Sequence, residues 1–158
     1  MTMRGFVWTE AMSVGVPALD ADHRCLVRII NLLNDAEGND TDRVIEIVMD
    51  TLAVYARFHF AREEQVMNAC GFPALAVHSL EHESFCRTVA AMAKKRGGES
   101  AAKDLLEYLK GWLLHHILIQ DMAYRPYIAE SSDLSALNAA VSSGLPPIDL
   151  ARLIEARS

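Results

Sequence analysis

The 158-residue sequence is poor in cysteine and has few runs with the alternating pattern of β-strands. Its three cysteines, Cys25, Cys70 and Cys86, are widely spaced, and no two of them form a CxxC pair. Isolated thiols in an odd number argue against a disulfide framework, and the missing CxxC pair argues against a thiolate zinc or iron–sulfur site. We therefore expect reduced thiols, with histidine and carboxylate groups as the ligands of any metal.

Long apolar stretches and clusters of positive charge are also missing. No apolar run is long enough to cross a bilayer, and residues 1–15 lack the continuous apolar stretch of a signal peptide. We therefore expect no membrane insertion and a cytoplasmic location. The formal net charge is −6, and the cationic cluster Lys94-Lys95-Arg96 is too short for a surface that binds phosphate backbones. Nucleic acid is not expected as a partner.

Apolar residues recur three and four positions apart through most of the chain, which predicts an all-α protein. Glycine and proline breakers divide this pattern into four long helices. We expect them at about Ala18–Glu37, Thr41–Ala69, Ala74–Lys95 and Ser100–Arg125. The short connections make neighbouring helices antiparallel, so the predicted architecture is an up-down-up-down four-helix bundle.

Two parts of the chain lie outside these four helices. The residues before the first helix, including Trp8, are predicted to form an N-terminal arm on the bundle. Residues 1–128 would then form one bundle domain, and residues 129–158 a C-terminal extension. This extension has two apolar segments, 134–141 and 148–154, between serine, glycine and proline breakers. It could form short helices and offers a surface for a protein partner or for self-association.

Histidine and carboxylate residues stand at inward-facing positions of all four predicted helices. Residues four apart on a helix project from one face, so His59 and Glu63 can point at one place, as can His78 and His82. The candidate metal ligands are His23, His59, Glu63, His78, His82, His116 and Asp121. As unpartnered groups in an apolar bundle they would cost several kcal/mol in total, and a bound metal would offset that cost.

The spacing of His116 and Asp121 is less favourable. Five residues correspond to roughly 140° of rotation on an α-helix, so these side chains would flank the inward direction from either side. The neighbouring His115 is turned about 100° away and is expected at the surface. We therefore count His116, and not His115, as a ligand.

The number of ligands predicts two metal ions. Five imidazoles and two carboxylates exceed what one four-coordinate zinc requires, and carboxylates are able to bridge. If both carboxylates bridge, one ion receives three imidazoles, and the other receives two and keeps an open position for a small ligand. Iron suits this set of nitrogen and oxygen ligands, and manganese is not excluded by the sequence.

These motifs resemble the hemerythrins, particularly the bacterial ones, over approximately Phe6 to Ile128. The residues that carry the resemblance are Trp8, Asp20-Ala21-Asp22-His23, His59-Phe60-Ala61-Arg62-Glu63-Glu64, His78, His82, Trp112-Leu113-Leu114-His115-His116-Ile117 and Asp121. The resemblance implies an oxo- or hydroxo-bridged, non-haem di-iron centre that binds dioxygen reversibly. It also implies a division of the ligands: His78, His82 and His116 on the six-coordinate iron, His23 and His59 on the other, and Glu63 and Asp121 as bridges.

Several residues beside the ligands are assigned by their position. The apolar side chains expected to line an oxygen pocket, or alternatively to serve only as core packing, are Trp112, Leu113, Ile117 and Phe60. The acidic residues next to ligands, Asp22, Glu64 and Glu81, could accept hydrogen bonds from the ligands, but we interpret them as surface charges because adjacent helix residues point apart. Cys86, four residues after His82, is interpreted as a small buried thiol.

Three functions are compatible with such a centre. The first is an oxygen-binding protein that carries, stores or delivers dioxygen, because no acid or base for catalysis is evident near the ligands. No catalytic residue is therefore assigned. The second is a di-iron enzyme that reduces peroxide or nitric oxide, and it would need electrons and a proton path. The third is an oxygen or redox sensor that acts through the C-terminal extension.

Overall fold

The computed structural model describes residues 5–36, 40–95 and 97–130, and within them the chain forms four long antiparallel helices and no strand. The first long helix is α1 (Pro17–Asn34). The second joins α2 (Thr41–Val54), a π-helical turn (Tyr55–His59) and α3 (Phe60–Ala69). The third is α4 (Leu75–Lys94). The fourth joins α5 (Gly98–Gly111), a π-helical segment (Trp112–Gln120) and a 3₁₀ turn (Asp121–Ala123), and the short α6 (Arg125–Ala129) follows.

The all-α bundle predicted from the sequence is confirmed. The helix bounds differ from the predicted ranges only near the ends, but π-helical segments interrupt the second and fourth long helices. Helix α1 ends at Asn34, before the predicted Glu37, which lies outside the described residues. The fourth long helix ends at Ala123. Pro126 lies in the first turn of α6, where proline is tolerated because the N–H groups of a first turn have no acceptor within the helix.

Two apolar clusters form the core, and they lie on either side of a polar layer. The larger cluster includes Leu26 and Phe60, and the smaller one includes Leu19 and Val66. Along α1, His23 lies between Leu19 of the smaller cluster and Leu26 of the larger one. The candidate ligands therefore occupy a layer between two dry parts of the bundle.

The N-terminal arm packs on the bundle as predicted. Phe6 and Trp8 contact the larger apolar cluster, and the Arg24 guanidinium lies 4.9 Å from the centre of the Trp8 ring. The Asn31 side chain accepts a hydrogen bond from the Phe6 N–H and donates one to the Phe6 carbonyl, both at 2.8 Å. The arm then forms one turn of 3₁₀-helix at Glu10–Met12 before α1 begins.

Three predictions concern the C-terminal extension, membrane insertion and cellular location. Residues 131–158 lie outside the described ranges, so the C-terminal extension and the division at residue 128 stay predictions. Among the described helices, none combines the length and the apolar character needed to span a membrane. The cytoplasmic location remains a prediction as well.

Candidate metal centre

The structure brings all seven candidate ligands into one buried layer. They come from all four long helices, and none of them is more than 4% exposed. These residues are His23 from α1, His59 and Glu63 from the second helix, His78 and His82 from α4, and His116 and Asp121 from the fourth helix. Seven ionisable groups at the centre of an apolar bundle need compensating partners.

The ligand atoms form two groups that share one carboxylate. One group is Glu63 with His78, His82 and His116, and the other is Glu63 with His23 and His59. In each group, every residue offers one ligand atom, and these atoms lie within 4.8 Å of one another. Glu63 therefore stands where a carboxylate bridging two metal ions would stand.

Glu63 Oε2 is close to imidazoles of both groups. It lies 2.9 Å from His82 Nε2, 3.6 Å from His78 Nε2 and 3.7 Å from His59 Nε2. A single oxygen surrounded by three imidazole nitrogens from two helices marks the centre of the cluster.

Asp121 also reaches both groups. Its Oδ2 lies 3.2 Å from His23 Nε2, and its Oδ1 lies 3.0 Å from both His78 Nε2 and His116 Nε2. The two oxygens of this carboxylate thus face different groups, which is the arrangement that a second bridge requires.

The π-helical segment explains how His116 and Asp121 come to act together. The Asp121 N–H donates to the carbonyl of His116, five residues earlier, which is the hydrogen-bond pattern of a π-helix. Residues five apart lie on the same face when one turn is widened in this way. The flanking geometry expected for an α-helix is therefore wrong, because the helix is not α-helical here.

The atoms that face the centre test whether a metal fits. The Nε2 atoms of the five ligand histidines, Glu63 Oε2 and both oxygens of Asp121 are buried and make no hydrogen bond of normal geometry. These nitrogen and oxygen atoms lie close together without forming hydrogen bonds to one another, as expected when their lone pairs all point toward a shared metal position. Buried polar atoms without partners are uncommon and costly, so the donor set fits bound cations.

Carboxylates on the outer side of three histidines orient these rings. His59 Nδ1 lies 2.9 Å from Asp22 Oδ2, and His82 Nδ1 lies 2.9 Å from Glu64 Oε1. A carboxylate only accepts hydrogen bonds, so Nδ1 carries the proton and donates it, and Nε2 presents its lone pair to the centre.

The interpretation of Asp22, Glu64 and Glu81 as surface charges was wrong. Glu81 Oε2 lies 2.6 Å from His116 Nδ1, and thus repeats the arrangement at the other two histidines. Each carboxylate does point away from the ligand next to it in sequence, but it reaches a ligand on the neighbouring helix. The sequence signal was there: an acidic residue adjoins a ligand on three successive helices.

Tyr124 and Arg62 were missed by the sequence reasoning. The Tyr124 hydroxyl donates a hydrogen bond of 2.6 Å to Glu63 Oε1, and the Arg62 guanidinium contacts the Asp22 carboxylate. Tyr124 follows Asp121 by three residues and therefore lies on the same helical side, which was its only signal. Both residues fix a carboxylate that belongs to the centre or supports it.

The residues predicted to line an oxygen pocket adjoin the ligands. Phe60 stacks on His82 at a ring-centre distance of 3.9 Å, and Trp112 stacks on His116 at 3.8 Å. Leu113 and Ile117 are fully buried in the larger apolar cluster. That these four residues line a pocket for oxygen stays a prediction.

Two further assignments can be compared with the structure. His115 is exposed, as predicted, whereas its neighbour His116 is buried. Cys86 is also exposed, so its interpretation as a buried thiol was wrong. Cys86 is four residues after His82, but Phe85 and not Cys86 lies on the buried face of α4.

The electrostatics of the layer follow from burial and from close opposite charges. Burial alone would raise the pKa of Glu63, but the imidazoles of His78 and His82 outweigh it and hold this pKa well below its usual range. Burial likewise opposes protonation of His78, yet Asp121 and Glu63 raise the pKa of His78 to about 10. Without a metal, imidazolium and carboxylate groups would therefore neutralise one another.

The fold and this layer define a class: an antiparallel four-helix bundle whose interior presents histidine and carboxylate ligands for metal. Comparison with known proteins identifies the family. Residues 14–128 match the family model Hemerythrin, described as the hemerythrin HHE cation binding domain. The chain belongs to the hemerythrin family.

Bacterial relatives cover most of the chain. It is 32% identical over 119 residues to a bacteriohemerythrin of Stenotrophomonas maltophilia, a match that covers 75% of this chain and 78% of that protein. It is 31% identical over 127 residues to a bacteriohemerythrin of Clostridium acetobutylicum, covering 75% of this chain and 98% of the relative. A bacteriohemerythrin of Pseudomonas paraeruginosa is 32% identical over 123 residues, covering 77% and 80%.

Proposed function

We propose that this chain binds two iron ions in the buried layer and uses them to bind dioxygen reversibly, as an oxygen carrier, store or delivery protein. Family membership supports iron and oxygen as the partners. The observation that carries the proposal is the pair of ligand groups that share Glu63. One group supplies three imidazoles and the other supplies two, so the second ion would be left with fewer protein ligands.

The residues of the chain have distinct roles in this proposal. His78, His82 and His116 would hold one iron, and His23 and His59 the other. Glu63 and Asp121 would bridge the two ions, since each carboxylate contacts imidazoles of both groups. Asp22, Glu64 and Glu81 would keep three of the rings in the orientation that turns Nε2 inward.

The surroundings of the layer would protect a bound small molecule from water. Leu113 and Ile117 are 0% exposed and Phe60 is 5% exposed, so the wall beside the ligands is dry. Such an apolar wall keeps out water and protons, which would otherwise react with the bound small molecule and prevent its reversible release. When bound, a pair of iron ions in this environment supplies reversible electron transfer to dioxygen.

The proposal is tested by an oxygen cycle on the iron-loaded protein. The protein is reduced without air, and its visible absorption is followed while oxygen is admitted and then removed. We expect a charge-transfer band that appears with oxygen and disappears when oxygen is withdrawn, over repeated cycles. Immediate oxidation that oxygen removal does not reverse would contradict the proposal and would favour a redox enzyme.

A further inference from the structure

Tyr55 places a phenol directly beside the metal layer. It is 1% exposed, and its ring stacks on the imidazole of His59 with 4.5 Å between ring centres and 12° between ring planes. Aromatic neighbours enclose the rest of the ring, with Phe60 at 5.3 Å and Phe85 at 6.1 Å. Tyr55 begins the π-helical turn that ends at His59, so the backbone presents both side chains together.

The hydroxyl proton of Tyr55 has no acceptor among the described residues. The hydroxyl is buried and makes no hydrogen bond of normal geometry. The indole N–H of Trp112 acts on the hydroxyl oxygen, but an indole N–H can only donate a hydrogen bond. The hydroxyl is therefore left with a proton to donate.

Packing alone does not account for the hydroxyl. Phenylalanine would fill the same space and stack on the same ring, without the cost of a buried polar atom that lacks a partner. Buried tyrosine hydroxyls usually find a hydrogen-bond partner. A hydroxyl whose proton has no acceptor among the described residues indicates that the acceptor belongs to a bound ligand.

The position of Tyr55 identifies the side of the layer on which that acceptor would bind. His59 belongs to the group with His23 and Glu63, which has three residues, whereas the group around His78 has four. A metal held by the smaller group has more room for a ligand from outside. Tyr55 therefore lies on the side where a small molecule has access to the metal.

We propose that the Tyr55 hydroxyl donates a hydrogen bond to a small ligand bound at the group of His23, His59 and Glu63. This residue then favours ligands that carry a hydrogen-bond acceptor over purely apolar ones. The inference rests on the proposed function, because it requires metal at this group.

The test uses Tyr55→Phe in the iron-loaded, oxidised protein, with azide as the probe ligand. Azide is a small anion with acceptor atoms and no hydrogen to donate. We expect unchanged iron per chain and about a tenfold weaker azide affinity, as the loss of one hydrogen bond to a ligand predicts. The matched control is Tyr108→Phe, whose ring also packs on Phe85 but which lies outside the layer and should leave azide affinity unchanged.

A second measurement separates a ligand contact from a structural one. Thermal unfolding of the iron-free Tyr55→Phe protein should show a midpoint lowered by no more than about 4 °C, the effect of losing the contact with the Trp112 N–H. A larger decrease or failure to fold would assign the hydroxyl a structural role and overturn the inference. Equal azide affinity in both proteins, or equal weakening in Tyr108→Phe, would overturn it too.

These outcomes are distinct from a failure of the proposed function. An unaltered protein that binds no iron would remove both proposals. An unaltered protein that binds two irons, cycles with oxygen and binds azide no better than Tyr55→Phe would remove only the role of Tyr55.

Discussion

At the scale of single residues, side chains that are not candidate ligands fix the orientation of those that are. Each of three imidazoles is held at Nδ1 by a carboxylate from a neighbouring helix, and this contact decides which nitrogen is free for metal. Tyr124 similarly holds one oxygen of Glu63 and leaves the other facing the imidazoles. These contacts hold the candidate ligands in the orientation that metal binding requires.

Removing one orienting carboxylate should weaken iron binding without abolishing it. In Glu81→Ala, His116 keeps its place but loses the acceptor for its Nδ1–H, so the ring no longer has one preferred orientation. We expect iron affinity to fall about 10–100-fold, measured by competition with a chelator. Glu83→Ala, an exposed carboxylate on the same helix, is the control and should bind iron as the unaltered protein does.

Two adjacent histidines provide a second test at this scale. His116 is buried in the layer, whereas His115 is exposed. His116→Ala removes one of the proposed ligands, so iron per chain should fall and the visible spectrum should change. His115→Ala should leave both unchanged, and a loss of iron in that variant instead would reverse the assignment.

The sequence identified the side chains that meet in the buried layer better than it identified their surroundings. Spacing of three or four residues identifies which side chains share a helical face, so His59 with Glu63 and His78 with His82 could be paired directly. Contacts between helices depend on rotation and axial shift, which no single helix reveals. For that reason the roles of Asp22 and Tyr124 became visible only in the folded chain.

At the scale of elements, two departures from α-helical geometry lie at the centre. The turn Tyr55–His59 ends in one ligand, and the segment Trp112–Gln120 contains His116 and leads into Asp121. π-Helical turns are uncommon and often occur at functional sites. Here the wider turn aligns residues five apart, which an α-helix would rotate away from each other. Apolar periodicity alone did not indicate either segment.

Inserting one residue between His116 and Asp121 tests this role of the π-helical segment. An alanine inserted after the exposed Ile119 places the two candidate ligands six apart, which turns Asp121 away from His116 in both α- and π-helical geometry. We expect similar helix content by circular dichroism but a marked loss of bound iron and a lower unfolding temperature. Ile119→Ala keeps the spacing and should retain the iron, whereas an insertion variant with full iron would contradict the proposed role.

At the scale of the whole molecule, the bundle consists of a polar layer between two apolar clusters. The clusters supply the folding free energy, and the layer places ionisable groups where burial is unfavourable. This general plan followed from helical periodicity and short connections. The exact helix ends did not, because caps and breakers leave an uncertainty of one or two residues.

Removal of iron should destabilise the entire fold. A ligand that binds only the folded state stabilises it by about 2.7 kcal/mol at a free concentration one hundred times its Kd. For a chain of this size that corresponds to about 5–10 °C in the unfolding midpoint. Calorimetry of the loaded and chelated protein checks this value, and identical midpoints would mean that the layer does not need metal.

The central claim is that this chain holds two metal ions, and native mass spectrometry of the iron-loaded protein tests it most directly. The two ligand groups that share Glu63 predict a mass increase of two irons per folded chain, and Glu63→Ala should lose both ions or retain one weakly. One iron per chain, or none under reducing and oxidising conditions alike, would contradict the proposed centre.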